Sequence, residues 1–311
     1  MLRYILSRVI GLIGVTLVVS FLAFMLLYQL PGGPFSQEKQ PLSPAAMAAI
    51  KAKYNLDKPF YVVWLSWVGR AVQGDFGYSY SAENVPITKL FADHWAVSLQ
   101  LGGLALAWSV PLGILLGVLA AVNRNRWADY LLRFLAIVGT TVPSFALVVF
   151  LVFVFAVQLR WLPTTGWKPV DDPRTLILPV LIFGLVPFGT LLRYTRNGMI
   201  EAMSTDYVRT ARAKGLEYGS VVLRHALRNV LIPVVTVLAP MIPNALTGSA
   251  ILEIMYSING IGRFFIDSIQ SRDYPLALAS AFIVATLWGF SYLLTDLAYT
   301  LIDPRIRLSG R

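Results

Sequence analysis

The fold is decided by apolar runs such as residues 96–122, AVSLQLGGLALAWSVPLGILLGVLAAV, in which no side chain carries a charge. A helix that crosses a bilayer needs about 20 mostly apolar residues, and this run is longer than that. Five further stretches share its character, at roughly 9–30, 134–158, 174–192, 230–252 and 277–302. The sequence therefore predicts an all-α integral membrane protein with six transmembrane helices, forming one domain over residues 1–311.

The composition of the chain supports a membrane protein and argues against catalysis. Of its 311 residues, 57% are hydrophobic and 14% are charged, whereas soluble domains have about 25% charged residues. Cysteine is absent, which excludes disulfide frameworks and thiolate chemistry. The sequence contains neither a Gly-x-x-x-x-Gly-Lys-Ser/Thr phosphate loop nor a Gly-x-Ser-x-Gly nucleophile elbow. His94 and His225 lack metal-ligand partners at helical spacing, so we expect no catalytic residue, no metal site and no cofactor bound by this chain.

The distribution of basic residues predicts the orientation. The connections on one side carry 15 of the 26 Lys and Arg residues, and the side with the denser positive charge is cytoplasmic. This places both termini and the connection 194–229 in the cytoplasm, and residues 31–95 in a large extracytoplasmic loop after the first helix. Topology thus accounts for the net charge of +10. The expected partner is the lipid bilayer, and nucleic acid is not expected.

Three segments near the amino terminus have patterns of their own. The first span has Arg3 and Arg8 before it and no small-x-small cleavage site after it, so we interpret it as a retained signal anchor. Ser43 and the following proline are typical of a helix start. Pro59 precedes a short amphipathic helix that suits either the membrane interface or packing on the transmembrane bundle.

The connection 194–229 is the most informative segment. Asp206 is a candidate cap for a helix from Tyr207 to Lys214, and Gly215 supplies a left-handed stop. One face of this helix is predicted to be apolar, with Ile200, Met203, Tyr207 and Ala211. A second helix follows, with Tyr218, Val221, Val222 and His225 on one face.

Polar side chains within the spans are candidates for a translocation path, since burying them in lipid costs free energy. Prolines interrupt the fifth span and suit a wall that changes shape, although prolines are also common in membrane helices. Asp296 in the sixth span fits either a structural hydrogen bond or a proton relay. The candidate path residues are Thr140, Ser144, Thr236, Asn244, Thr247, Glu253 and Asp296.

Residues 206–216, DYVRTARAKGL, followed by HALRN at 225–229, resemble the cytoplasmic signature of permease subunits in dipeptide, oligopeptide and nickel ABC importers. Further matching motifs are GDFGYS at 74–79, GIGR at 260–263 and RDYP at 272–275. The large loop after the first span resembles that of the B-type, first-named permease of such systems.

The resemblance implies a type I importer permease fold and a division of labour. Two related permeases would form the pore, two ATP-binding subunits would supply ATP and magnesium chemistry, and an extracytoplasmic binding protein would deliver substrate. The residues implied in ATPase coupling are Asp206, Tyr207, Arg209, Ala211, Arg212, Lys214, Gly215 and Leu216. The implied location is the inner membrane of a prokaryote.

Other functions remain open at this level. Di- and oligopeptides are the substrates that the resemblance favours, and nickel chelates, glutathione or another small solute are the alternatives. An ion-coupled secondary transporter is opposed by six spans without a visible inverted repeat. A membrane scaffold is opposed by the proline-rich, polar fifth span.

Overall fold

The computed structural model describes residues 2–29, 58–81 and 85–302. Within these ranges the chain is helical apart from turns, loops and one isolated antiparallel bridge between Tyr78 and Pro86, and it contains no strand. The predicted all-α class is confirmed. The helix start expected at Ser43 lies outside the described residues.

The helices follow one another along the chain with short connections. They are α1 (Leu2–Gln29), α2 (Phe60–Ala71), α3 (Ile87–Val122), α4 (Trp127–Thr141), α5 (Ser144–Val152), α6 (Ile177–Ala202), α7 (Asp206–Ala213), α8 (Leu227–Leu238), α9 (Met241–Thr247), α10 (Ala250–Met255), α11 (Ile261–Gln270) and α12 (Tyr274–Ile302). Two π-helical segments adjoin them, Phe153–Gln158 after α5 and Val221–Ala226 before α8.

The structure has up to six membrane-crossing segments in its described part. Five are long and apolar enough by themselves, namely Leu6–Leu27, Ile87–Val122, Pro173–Ala202, Tyr218–Leu238 and Tyr274–Leu293. The sixth is a pair of helices, Trp127–Thr141 and Ser144–Gln158, which meet at an angle of 110°. Counted as one broken span, this pair brings the number to the predicted six. The fifth segment, Tyr218–Leu238, begins inside the connection predicted at 194–229.

Two predicted spans are broken where the sequence analysis treated them as continuous. In 134–158 the break falls at Val142, which has an extended backbone (φ −75°, ψ 127°). Val142 precedes Pro143, and the ring of a proline disfavours the helical conformation of the residue before it. In 230–252 the helix ends at Leu238, and Gly248, with φ +71°, separates α9 from α10.

The structure divides into two compact units, the first comprising residues 1–97 and 259–293. In this unit α2 packs on α1. The Trp64 indole Nε1 donates to the Ser20 hydroxyl at 3.2 Å. The Phe21 ring also contacts the rings of Phe60 and Trp64. The structure shows the packing of α2 on α1, and the location of α2 at the membrane interface stays a prediction.

The second unit comprises residues 98–258 and 294–311, and α6 is the helix on which α4, α5 and α8 pack. Glycines allow close approach in this unit. The Trp108 ring lies against Gly184 of α6, and its Nε1 donates to the Val180 carbonyl at 3.1 Å. A single domain over the whole chain stays a prediction.

Candidate functional site

The candidate site is the connector, which we define as residues 203–220 between α6 and the second π-helical segment. Its helix α7 begins one residue earlier than predicted. Thr205 is the extended residue before the helix, and Asp206 is the first helical residue, so Asp206 is not the cap. The Asp206 carboxylate accepts from Arg209 Nη1 at 3.4 Å, and an acidic group in the first turn is favourable to the helix dipole.

The end of α7 is closed by two backbone hydrogen bonds around Gly215. Gly215 N–H donates to the Arg212 carbonyl at 2.9 Å, and Leu216 N–H donates to the Ala211 carbonyl at 3.3 Å. This pair is the Schellman motif, which requires a left-handed residue at its centre. Gly215 has φ +76°, so the predicted left-handed stop is confirmed.

The inner face of α7 differs from the predicted face by one residue. Val208 and Ala211 are buried against Val221, with Met203 packed beside them. Tyr207, which the sequence analysis placed on this face, is 40% exposed. A one-residue shift rotates a helical side chain by about 100°, because a turn contains 3.6 residues. Met203 and Ala211 lie on the predicted face, so position 207 is the one that the spacing assigned to the wrong side.

The outer face of the connector is exposed. Seven of the eight predicted coupling residues lie on it, and the eighth, Ala211, lies on the inner face. A Cβ added to Gly215 would meet nothing within 4 Å, so the turn faces open space. The exposed residues are Asp206, Tyr207, Arg209, Arg212, Lys214, Gly215 and Leu216.

A cation–π contact joins the two arms of the turn. The Arg212 guanidinium lies 5.6 Å from the centroid of the Tyr218 ring, and such contacts contribute about 0.5–1 kcal/mol at exposed sites. Together with the Schellman hydrogen bonds it holds Gly215 at the tip of a defined turn. The site thus offers a protein partner a small cationic protrusion with an open backbone.

The second predicted helix of this region is π-helical over Val221–Ala226. A spacing of 3.6 residues per turn predicts an α-helix and does not reveal a π-helical segment within it. Val222 and Ala226 are buried with Met199 of α6 and Val230 of α8. π-Helical turns are frequent at functional sites, and this one joins the connector to α8.

The neutral polar residues predicted for a translocation path fall into a half-buried group and an exposed group. The half-buried group is Thr140, Ser144 and Thr247, and the exposed group is Thr236 and Asn244. The hydroxyls of Thr140 and Thr247 donate to carbonyls of their own helices, Ala136 and Pro243, each at 2.9 Å. Ser144, the first residue of α5, is half-buried. Thr236 and Asn244 are exposed on the described surface, although Thr236 also donates to a carbonyl of its own helix.

Of the two acidic candidates, Glu253 and Asp296, the structure describes the side chain of Glu253. Glu253 is fully buried and accepts from the Ser98 hydroxyl at 2.8 Å. Gly248 makes room for this carboxylate, since a Cβ there would overlap Glu253 Oε1. Asp296 is part of α12, but its side chain lies outside the described residues, so its role stays a prediction.

Two buried carboxylates were missed as functional candidates. Asp129 in α4 and Asp273 before α12 are both fully buried and multiply hydrogen-bonded. The motif RDYP contains Asp273 and was the available signal. Asp129 carried no local signal, because its partner Arg196 is distant in sequence.

Comparisons with known proteins identify the family. The family described as binding-protein-dependent transport system inner membrane component matches residues 113–308, and its N-terminal counterpart matches residues 1–101. The chain is 35% identical over 308 residues to the dipeptide transport system permease protein DppB of Bacillus subtilis, covering 99% of both chains. It is 36% identical to the oligopeptide transport system permease protein OppB of Escherichia coli K12, covering 99% of this chain and 100% of that one.

A third relative extends the comparison to another bacterium. The dipeptide transport system permease protein DppB of Lactococcus lactis is 37% identical over 309 residues, with 99% of this chain and 100% of that protein covered. The resemblance to dipeptide and oligopeptide ABC importer permeases is thereby confirmed. The apolar helices and these matches make the chain a multi-pass inner membrane protein. It belongs to the family of binding-protein-dependent transport system inner membrane components.

Proposed function

We propose that this chain is a pore-forming permease subunit of an ATP-driven importer of di- and oligopeptides. Relatives of the same length are named dipeptide and oligopeptide permeases, which supports the peptide substrate class. The chain works with a second, related permease, and an extracytoplasmic binding protein delivers the peptide to the pair.

The connector is the surface that receives the motion of the ATPase. The observation that carries this proposal is Gly215, which lies at the exposed tip of a rigid turn with open space around it. Arg209, Arg212 and Lys214 flank it and attract an acidic groove electrostatically. Val208 and Ala211 pack the same helix against Val221. A displacement of Gly215 is therefore transmitted to the second π-helical segment while the turn keeps its conformation.

ATP and magnesium are bound by two separate ATPase subunits in this proposal, and this chain contributes no nucleotide site. The connector then lies on the cytoplasmic side, as the density of basic residues predicts. ATP-driven closure of the ATPase pair rocks the permease helices between two openings, which is a rigid-body transition of a familiar kind.

Reconstitution tests the proposal. The complete complex is placed in proteoliposomes with its binding protein outside and ATP inside, and uptake of radiolabelled di-, tri- and tetra-alanine is measured. We expect uptake that requires ATP, both ATPase subunits and the binding protein. Uptake by the permease pair alone under a proton or sodium gradient would contradict the proposal, as would the absence of ATP-dependent uptake of all three peptides.

A further inference from the structure

A buried ion pair joins α4 to α6. Arg196 Nε donates to Asp129 Oδ1 at 2.6 Å and Arg196 Nη2 donates to Oδ2 at 2.8 Å, so the contact has two prongs. The Asp129 side chain is fully buried and that of Arg196 is 12% exposed. A two-pronged arginine–carboxylate contact fixes orientation as well as distance.

The remaining bonding capacity of Asp129 is also used. The Asn125 backbone N–H donates to Oδ2 at 2.9 Å, and the Arg133 guanidinium lies 3.5 Å from Oδ1. Asn125 has φ +63°, which forms the turn between α3 and α4. The carboxylate therefore ties together the start of α4, the turn before it and the far end of α6.

Arg196 lies close to the connector. One turn further along α6, Met199 and Ala202 pack on Val222 and Val230, and the connector begins after Ala202. The end of α6 is thus held by an apolar cluster on the side of α8, and by both the ion pair and an apolar cluster on the side of α4. A displacement of the connector moves α6 directly, since the chain is continuous.

The α4–α6 contact has a second fixed point. At Gly139 a Cβ would lie 2.7 Å from the Leu185 carbonyl oxygen, and at Gly189 a Cβ would lie 2.6 Å from the Ala136 carbonyl oxygen. The two backbones therefore touch near the end of α4. Residues 129 and 139 are about 15 Å apart along a helix, so the ion pair and the glycine contact together prevent α4 from pivoting on α6.

We infer that Asp129 and Arg196 are positioning residues that make α4, the first half of the broken third span, move as one body with α6 and the connector. The inference rests on the proposed function, because it concerns how motion received at the connector reaches the wall of the pore. An apolar contact at this end would allow sliding, whereas the two-pronged pair has one geometry. Leu132 and Ala136 of α4 also pack on Phe188 and Leu192 of α6, so without the pair we expect the helices to stay in contact while the start of α4 loses its fixed orientation.

The test removes the pair without leaving a buried charge. Asp129→Asn alone leaves the buried Arg196 guanidinium without its counter-charge, so it is expected to lower the yield of folded protein. The double variant Asp129→Asn/Arg196→Gln is neutral and keeps hydrogen-bonding groups, so we expect wild-type abundance, complex assembly and ATP hydrolysis. We expect its peptide uptake per ATP hydrolysed to fall at least about fivefold, the lower end of typical coupling between sites.

The matched control is Asp172→Asn/Arg174→Gln, which removes a solvent-exposed ion pair with a 2.9 Å contact. We expect its uptake per ATP to equal that of the wild type. A wild-type ratio in the Asp129→Asn/Arg196→Gln complex would overturn the inference and leave the proposed function intact.

A second measurement needs no substrate and therefore separates this inference from the proposed function. The chain has no cysteine, so spin labels can be placed at Leu131→Cys on α4 and Glu201→Cys on α6, both exposed positions. We expect one narrow distance distribution in the wild-type complex, unchanged by ATP, and a broadened one in the neutral double variant. Identical distributions in both backgrounds would overturn the inference even if uptake per ATP fell in the double variant.

Discussion

The Ser79 hydroxyl donates a 2.5 Å hydrogen bond to the carboxylate of Asp273, although 194 positions separate the two residues. The same oxygen, Oδ2, accepts from the N–H of Tyr80 at 2.9 Å and from the N–H and hydroxyl of Ser81 at 3.1 and 2.8 Å. The other oxygen accepts from Leu276 N–H at 3.2 Å, in the first turn of α12. This carboxylate thus joins the end of the motif GDFGYS to the motif RDYP.

Asp273→Asn is expected to destabilise the protein by about 3 kcal/mol or more, because four hydrogen bonds lose a charged acceptor and, with the amide oxygen in the position of Oδ2, the amide nitrogen faces the Leu276 N–H. Hydrogen bonds to a charged group contribute about 1.5–3 kcal/mol each. Thermal unfolding in detergent, followed by size-exclusion chromatography, measures this. Asp75→Asn is the control, since exposed Asp75 accepts from Gly77 N–H with one oxygen that asparagine retains. Equal unfolding temperatures for the two variants would contradict the assigned role of Asp273.

Gly215→Trp is expected to abolish peptide uptake and the stimulation of ATP hydrolysis, while membrane insertion is unaffected. The physical reason is bulk at a tip that a partner approaches, because nothing of this chain lies within 4 Å there. Gly215→Asn is the control, since asparagine tolerates the left-handed conformation and preserves the turn. We expect it to retain most of the uptake. Normal uptake by the tryptophan variant would refute docking at the connector.

Gly102→Ala and Gly103→Ala form a matched pair on α3. A Cβ at Gly102 would overlap the Ala245 carbonyl of α9, whereas a Cβ at Gly103 would meet nothing within 4 Å. Overpacking costs about 1–3 kcal/mol, so we expect that loss for Gly102→Ala. For Gly103→Ala we expect no loss, and a gain of up to about 1 kcal/mol, because alanine favours the helix more than glycine does. Chemical denaturation in detergent measures both, and similar losses would show that the α3–α9 contact is looser than described.

Trp108→Phe is expected to cost about 1 kcal/mol, the net contribution of its hydrogen bond to the Val180 carbonyl. The variant also lacks two of the indole atoms nearest to Gly184, Nε1 and Cζ2. Gly184→Ala removes the space that the indole occupies, so we expect a larger loss of stability. Thermal unfolding of both variants checks the order, and a larger loss for Trp108→Phe would reverse the interpretation.

Hydropathy and glycine placement predicted the parts of the structure that depend on local sequence. The apolar runs located the spans, and Gly215 located the end of α7, because a left-handed residue has few alternatives to glycine. The positions of prolines predicted helix breaks less well. Pro111, Pro187 and Pro233 lie inside continuous helices, whereas Pro143 accompanies a 110° bend, and the sequence offers no local difference that separates the two outcomes.

The contacts that the sequence analysis missed are those between distant positions. Asp129 and Arg196 are 67 residues apart, and a single sequence shows only that each is a charge near the end of an apolar run. The misplacement of Tyr207 on the inner face of α7 has another reason, since Met203 and Ala211 of the predicted face do pack there. Tyr207 and Val208 are both apolar enough to be buried, and only the packing of Val221 decides between them.

The hydrogen bonds around Asp273 also constrain how the protein is made. Residues 79–81 are synthesised 192 to 194 positions before the carboxylate that accepts their hydrogen bonds. These hydrogen bonds therefore form only after most of the polypeptide has been made. A translation product that stops before residue 273 lacks this acceptor and cannot fix the loop against the start of α12.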